Sequence, residues 1–148
     1  MRGGILGFEH LKQYVLLTQD EKTPFWWLQS IEDGAIAFVV INSFVVDPVY
    51  APVITDNDVR LLEIASSEDV VPMSIVTIVA EPLKITANMR APIIINVKKK
   101  LAKQIVLQDN EYAVQYSLTD TVLAMENDGV GDAGNLSNLK KVSTSLAF

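Results

Sequence analysis

Apolar residues along this chain fall into short runs, and turn-forming residues separate the runs at close intervals. The runs that predict strands are Gln13–Thr18, Phe25–Ile31, Ala35–Ile41, Val70–Val79 and Tyr112–Leu118, together with a hairpin in Thr86–Gln104. Short strands joined by short turns are typical of antiparallel sheets. We therefore predict an all-β fold, a mainly antiparallel barrel-like or sandwich arrangement of roughly seven strands with one or two short helices.

The hairpin in Thr86–Gln104 has the most distinctive sequence of these elements. Pro92 lacks an N–H and has a fixed φ, so it belongs at the start of a strand or on an edge. The β-branched run Ile93–Ile95 favours a strand over a helix. We place the loop around Lys98–Lys100 and the returning strand at Ile105–Leu107.

Helix is predicted most clearly at Thr55–Ile64, where Thr55 or Asp56 can cap the first turn and Asp58 resembles a capping-box residue. The preceding stretch, Asn42–Pro52, contains two prolines and is expected to be irregular.

The end of the chain differs in composition from the rest. Thr119–Met125 could form a short helix, and Glu126–Asn135 has the glycine and polar content of a linker. We therefore predict a single domain over residues 1–120 and a flexible or loosely docked tail over residues 121–148.

Charge is unevenly distributed along the 148 residues, whose formal net charge is −6. Residues 1–97 carry 12 acids and 6 bases, whereas residues 98–148 carry 6 of each. Such acidity argues against direct nucleic-acid binding and is compatible with a basic protein partner, although it also simply favours solubility. No apolar run reaches the roughly 18–20 residues of a membrane helix, and the start is unlike a signal peptide. We expect a cytoplasmic protein.

Candidate catalytic and metal-binding residues are few. His10 is the only histidine, cysteine is absent, and no nucleophile-elbow or phosphate-loop motif occurs. Asp128–Asp132 lacks the ligand pattern of a calcium loop and is better interpreted as linker. Paired acids occur at turns or at a helix start, where local structure explains them. We expect no enzymatic activity, no metal and no cofactor.

Two features favour a contact with another molecule. Trp26 and Trp27 are adjacent in a predicted strand and must point to opposite faces, so only one can enter a single core. Asn88, Arg90 and Asn96 surround a buried strand, where unpaired polar groups are costly. They either form an internal network that anchors the strand ends or contact a partner.

Several segments, in order, resemble the FliW family of flagellar assembly factors. The matching segments are Gly4–Glu9 (GILGFE), Phe25–Ser30, Phe38–Asn42, Pro48 with Tyr50, and Asn88–Asn96 (NMRAPIIIN) followed by Gln104. The last of these resembles the most recognisable block of the family. The resemblance extends from about Gly3 to Tyr116 and includes several motifs, so it is specific.

The resemblance implies a small, β-barrel-like, non-enzymatic cytoplasmic protein. It implies binding to newly made flagellin and to the RNA-binding regulator CsrA, whose repression of flagellin translation is thereby relieved. The candidate partner-binding residues are Trp26, Glu32, Asp33, Glu68, Asp69, Asn88, Arg90 and Asn96. The alternative is a small-ligand-binding barrel with an enclosed pocket near Trp26 and Trp27 and a polar floor at Asn88–Asn96. Neither reading specifies the oligomeric state.

The chain departs from the family pattern at its start. Members usually have a strand or two before the G-x-x-G-F-E turn, whereas this sequence begins almost on that turn. Either a strand lies upstream of Met1, or the barrel has an open edge that a partner segment, a second copy or the tail of the same chain could fill.

Overall fold

Nine strands and three α-helices occur in the residues that the structure, a computed structural model, describes: 1–18, 23–108, 111–127 and 144–148. The elements are β1 (Tyr14–Thr18), β2 (Phe25–Ser30), β3 (Ala37–Asn42), α1 (Ser43–Val46), α2 (Asp56–Leu61), a 3-10 helix (Ser67–Asp69), β4 (Val70–Val79), β5 (Lys84–Ala87), β6 (Ile93–Asn96), β7 (Leu101–Gln104), β8 (Tyr116–Ser117), α3 (Thr119–Asn127) and β9 (Thr144–Ala147).

All paired strands belong to one antiparallel sheet, whose order is β7-β6-β4-β3-β2-β1-β9. The long strand β4 branches the sheet, because Val70–Met73 pair with β6 while Val76–Val79 pair with β5, which in turn pairs with β8. This branch lets the sheet curl into a half-barrel. The predicted all-β, mainly antiparallel fold is confirmed.

The sheet buries apolar side chains on both faces. The first core comprises Ile41, Tyr50, Leu62, Val76, Ile85, Ala87, Met89, Ile94, Ile105, Leu107 and Leu118. The second core comprises Ile5, Leu11, Tyr14, Leu16, Leu28, Val40, Met73, Ile93, Ile95 and Ala102. Successive residues of a strand point to opposite faces, so Ile94 enters the first core while Ile93 and Ile95 enter the second. The unbroken isoleucine run therefore reflects a strand covered on both sides.

The hairpin loop lies where it was predicted, but the returning strand begins earlier. β7 starts at Leu101, so the prediction of a strand at Ile105–Leu107 was wrong in its bounds. The reason is the tight turn: the Asn96 side-chain oxygen accepts hydrogen bonds from the N–H groups of Lys98 and Lys99, both at 3.1 Å. Pairing can then resume immediately after residue 100, whose φ is 59°.

Backbone pairing continues beyond β7 in the same register. The Ile105 N–H donates to the Pro92 carbonyl at 3.0 Å, and the Leu107 N–H donates to the Arg90 carbonyl at 2.8 Å. The apolar run after the lysines thus lies along the polar entrance of the hairpin, and Ile105 and Leu107 enter the first core.

Two local predictions need correction. The stretch Asn42–Pro52 is not wholly irregular, because Ser43–Val46 forms α1, capped by the Asn42 side chain, which accepts from the Phe44 N–H at 2.9 Å. The predicted strand Tyr112–Leu118 is limited to Tyr116–Ser117.

Helix α2 begins as predicted. The Thr55 hydroxyl accepts from the Asp58 N–H at 3.2 Å, which satisfies one of the free N–H groups of the first turn.

The predicted tail is described in part. α3 follows β8 and ends at Asn127, and β9 pairs with β1 at the edge of the sheet. The predicted linker beyond residue 127 and the Asp128–Asp132 segment lie outside the described residues. Among the helices of the described ranges, none has both the length and the apolar character needed to cross a bilayer.

Candidate interaction surface

Asn88 shapes the turn that precedes β6. Its side-chain oxygen accepts from the Arg90 N–H at 3.1 Å and from the Ala91 N–H at 3.0 Å. Asparagine is suited to this role because its short side chain can bond to the backbone two or three residues onward. The contacts hold Pro92 at the point where the strand begins.

Gln104 joins this turn to the start of the chain. Its side-chain oxygen accepts from the Leu6 N–H at 2.8 Å, and its amide group donates to the Ala91 carbonyl at 3.1 Å. The N-terminal turn itself needs glycine at position 4, where φ is +72° and a Cβ would lie 2.6 Å from the Glu9 Cα. Motifs almost 100 residues apart therefore meet in one hydrogen-bonded assembly.

Two tyrosines extend the same assembly. The Tyr50 hydroxyl donates to the Met89 carbonyl at 2.6 Å, and the Arg90 Nε donates to the Tyr112 carbonyl at 2.9 Å. The two rings pack edge to face with centroids 4.6 Å apart. Burial, and secondarily the neighbouring Tyr112, raises the pKa of the Tyr50 phenol, which keeps the hydroxyl neutral and able to donate.

Asn96 is an interior anchor, with 1% of its surface exposed. Its amide group donates to the Leu62 carbonyl at 2.8 Å and to the Glu63 carbonyl at 3.1 Å, where α2 ends. Because its side-chain oxygen also accepts from the N–H groups of Lys98 and Lys99, Asn96 connects the hairpin turn to the end of α2. Asn96, one of the candidate contact residues, is therefore buried inside the fold, where its hydrogen bonds anchor the strand end.

The candidate acids do not form one surface. Glu32 and Asp33 lie in the turn between β2 and β3, whereas Glu68 and Asp69 precede β4 at the opposite end of the sheet. Along β4, about nine residues separate the position of Glu68 and Asp69 from that of Glu32 and Asp33, which corresponds to roughly 30 Å along the strand. The two acid pairs therefore form separate patches and not one continuous acidic surface.

Glu32 also has a local role. Its carboxylate accepts from the backbone N–H groups of Lys12 and Gln13, the latter at 2.7 Å. These hydrogen bonds, that of Lys12 first, hold the pKa of the Glu32 carboxyl below its usual range. The side chain thus fixes the segment that leads into β1.

The two tryptophans point to opposite faces, as predicted. Trp26 packs against the second core, so the structure does not favour it as the contact residue of the pair. Trp27 is half-buried and lies between Leu17 of β1 and Val39 of β3 in the strand register. We refer to Leu17, Trp27 and Val39 as the Trp27 row; it extends from the first core toward the β1 edge.

A groove that the sequence did not reveal lies between α2 and the chain after β7. Its open volume is about 480 Å³, and its walls are formed by Ala51, Val53, Thr55, Asp58, residues 103–108 and Tyr112. Val53 and Val106 are 80% and 49% exposed at this site. Asp58 and Lys103 form an ion pair there. Because 45 residues separate Asp58 from Lys103 in the sequence, no local pattern could predict that they pair.

Neither this groove nor a smaller cavity of about 80 Å³ beside β8 is lined by Trp26, Trp27 or the segment Asn88–Asn96. The predicted ligand pocket is therefore not at either place. In the ranges covered by the structure, no three histidine, aspartate or glutamate side chains are grouped to hold a metal ion.

These features define a small antiparallel β-protein whose described surface includes an apolar groove, exposed acids and a strand edge covered by β9. The family model described as FliW protein matches residues 1–118, four-fifths of the chain. The protein belongs to the FliW family.

Relatives and a solved structure agree with this assignment. The Flagellar assembly factor FliW of Syntrophus aciditrophicus (strain SB) is 52% identical over 118 residues, which are 80% of this chain and 75% of that protein. The protein of the same name from Caldicellulosiruptor saccharolyticus is 43% identical over 119 residues, 80% and 78% of the two chains. A crystal structure of the flagellar assembly factor FliW superposes with a TM-score of 0.73 at 39% identity, covering 80% of this chain and 82% of that one.

Proposed function

We propose that the protein is a non-enzymatic, cytoplasmic flagellar assembly factor that binds flagellin and a CsrA-type translational regulator. The observation that carries the proposal is membership of the FliW family, whose relatives bear the name flagellar assembly factor. The surface supports it, because a groove that combines exposed valines with an ion pair suits a protein segment with apolar and polar side chains.

The groove is our candidate for the flagellin contact. Exposed apolar side chains around a concave surface gain free energy when a partner removes them from water. Val53 lines the groove and is 80% exposed, whereas Val49 is 83% exposed and is not among the lining residues. The two valines therefore form a matched pair for mutagenesis.

The experiment measures binding of purified flagellin to the wild-type chain, Val53→Asp and Val49→Asp. We expect Val53→Asp to bind about tenfold or more weakly, since a carboxylate must be desolvated in the interface, while Val49→Asp binds like the wild type. Equal binding by both variants would move the contact away from the groove. Failure of the wild type to bind either flagellin or CsrA would reject the proposed function.

The acids are our candidates for the CsrA contact. Because Glu32 with Asp33 and Glu68 with Asp69 lie at opposite ends of the sheet, charge reversal of each pair should affect association with CsrA unequally. The sensitive pair should slow association more at low salt, where charges are screened less. Association unaffected by both reversals at low salt would count against an acidic contact surface.

Arg90→Ala distinguishes an anchor from a contact. Arg90 is half-buried and its Nε donates to the Tyr112 carbonyl, so we expect a loss of stability. Urea unfolding measures that loss, and binding is measured well below the unfolding midpoint. Unchanged stability with lost binding would instead assign Arg90 to the interface.

A further inference from the structure

Strand β1 is covered on its outer side by the end of the same chain. Residues Val15–Thr18 pair antiparallel with Thr144–Ala147, and Val15 lies opposite Ala147. One residue further, the Tyr14 N–H donates to the Phe148 carbonyl at 2.8 Å, and the Phe148 N–H donates to the Tyr14 carbonyl at 2.9 Å. The backbone of β1 is therefore competent to accept an added antiparallel strand.

The added strand is an appendage to the matched domain. The family model ends at residue 118, and β9 begins 26 residues later. β9 pairs only with β1 among the described strands, so it has a single neighbour in the sheet. Phe148 is half-buried and packs against the second core, which gives the segment one described side-chain anchor in addition to its backbone hydrogen bonds.

We propose that the β1 edge is a binding site for an extended segment of a partner protein, and that residues 144–148 occupy this site in the free chain. The partner segment would add to the sheet by main-chain hydrogen bonds, which provide affinity without requiring a particular sequence. Specificity would come from an aromatic side chain placed where Phe148 lies, and from the absence of proline at the positions that bond to β1.

The surface beside the edge suits such a partner. The Trp27 row runs across β3, β2 and β1 and ends at Leu17, whose register partner on the other side is Ser145. Leu17 and Trp27 are half-buried, so a bound segment with apolar side chains on this face would cover area that remains accessible. The site thus combines a strand edge with an adjoining apolar strip.

The pairing pattern suggests variants of the full chain in which residues 144–148 pair more weakly with β1, or are joined to β1 by a disulfide. Residues 14 and 148 exchange two hydrogen bonds, so alternation makes Leu16 and Leu146 a hydrogen-bonded pair and Leu17 and Ser145 a non-hydrogen-bonded pair. Leu146→Pro removes an N–H that bonds to β1. Ala147→Pro is the matched control, because its N–H points away from β1.

The locked variant carries Leu17→Cys and Ser145→Cys. Opposed Cα atoms in a non-hydrogen-bonded pair lie about 4.5 Å apart, within the range of a disulfide. The chain has no cysteine of its own, so oxidation can join only the introduced pair. Val15→Cys with Ser145→Cys, two residues out of register, serves as its control.

The test follows the fluorescence anisotropy of a labelled peptide with the sequence of residues 140–148, alongside a scrambled peptide of the same composition. We expect Leu146→Pro to bind the probe about tenfold or more tightly than the wild type, because the covalently tethered competitor is weakened. Ala147→Pro should match the wild type. The oxidised Leu17→Cys, Ser145→Cys chain should not bind the probe and should regain binding on reduction.

Three results would overturn the proposal. The probe binding equally to the oxidised and reduced locked variant would show that β1 is not the site. Cross-linking of the out-of-register control as efficiently as the matched pair would show that the segment is not held in this register. Disulfide-linked dimers in mass spectra, at the expense of the intramolecular bond, would make a second copy the occupant.

Discussion

Residues 88–104, which we call the β6 region, and the β1 edge of the sheet are held by different means. Around β6, side chains are buried on both faces and polar side chains such as Asn96 bond to distant backbone groups. At β1, the outer neighbour is β9, a four-residue strand that pairs antiparallel with it. The β6 region depends on particular side chains, whereas main-chain pairing at a strand edge is a pattern that many extended sequences can form.

This difference suggests a division of roles. The longest segment that matches the family pattern, Asn88–Asn96 followed by Gln104, lies in the β6 region, where Asn88, Asn96 and Gln104 make internal hydrogen bonds. A distinctive sequence motif can therefore reflect the requirements of the fold. The surfaces that we propose for partners, the groove and the β1 edge, have weaker sequence signals.

The largest expected effect is in the β6 region. Ile94→Ala should destabilise the protein by about 4 kcal/mol, because Ile94 is fully buried in the first core and truncation leaves a cavity. Chemical denaturation measures the loss. Ile94→Val, which removes one methylene, should cost only about 1 kcal/mol. Similar small losses for both would mean that the core readily collapses around the site.

Asn96→Ala should cost about 3 kcal/mol, because two carbonyl groups at the end of α2 and two N–H groups in the turn lose their partner. Asn96→Asp keeps the acceptor for the turn but not the donor for the helix, so hydrogen exchange should increase selectively at the end of α2. An alanine variant as stable as the wild type would show that water replaces these bonds.

The sequence predicted β4 and β6 better than it predicted the pairing at the β1 edge. The ten-residue run of β4 and the asparagine-bracketed isoleucines carry strong local signals, and both strands lie where predicted. The strand after the hairpin turn was predicted at Ile105–Leu107, whereas β7 begins at Leu101. The turn is short because the Asn96 side chain bonds to its backbone, and the position of the next apolar run does not reveal this.

The pairing of β9 could not be assigned from sequence, because it joins segments more than 120 residues apart and the register has no local marker. The same holds for the candidate site. The distances between the two acid pairs, and the meeting of Asp58 with Lys103, are consequences of tertiary structure.

At the edge, Glu32→Gln should give a small, pH-dependent decrease in the melting temperature. The pKa of Glu32 is lowered in the folded state, so its contribution is present above the unfolded-state pKa and is lost as pH falls through the folded value. The difference between variant and wild type should be largest near pH 7 and shrink below about pH 4. A difference independent of pH between 3 and 7 would contradict this assignment.

The smallest effect is expected at Tyr14. This β1 side chain is fully buried, yet its hydroxyl has no hydrogen-bond partner among the described residues. Tyr14→Phe removes a desolvated polar group, so stability should stay within about 1 kcal/mol of the wild type or increase. A clear loss by thermal unfolding would indicate that the hydroxyl is satisfied by water and that this end of the edge is more firmly held.

The opposite orientations of Trp26 and Trp27 have an optical consequence. They are the only tryptophans in the chain, and one faces the second core while the other lies in the row that borders β1. Substituting either one by phenylalanine leaves a single emitter on a chosen face. With Trp26→Phe, the emission maximum of Trp27 should report, without a label, on the exchange of strands that we propose at β1.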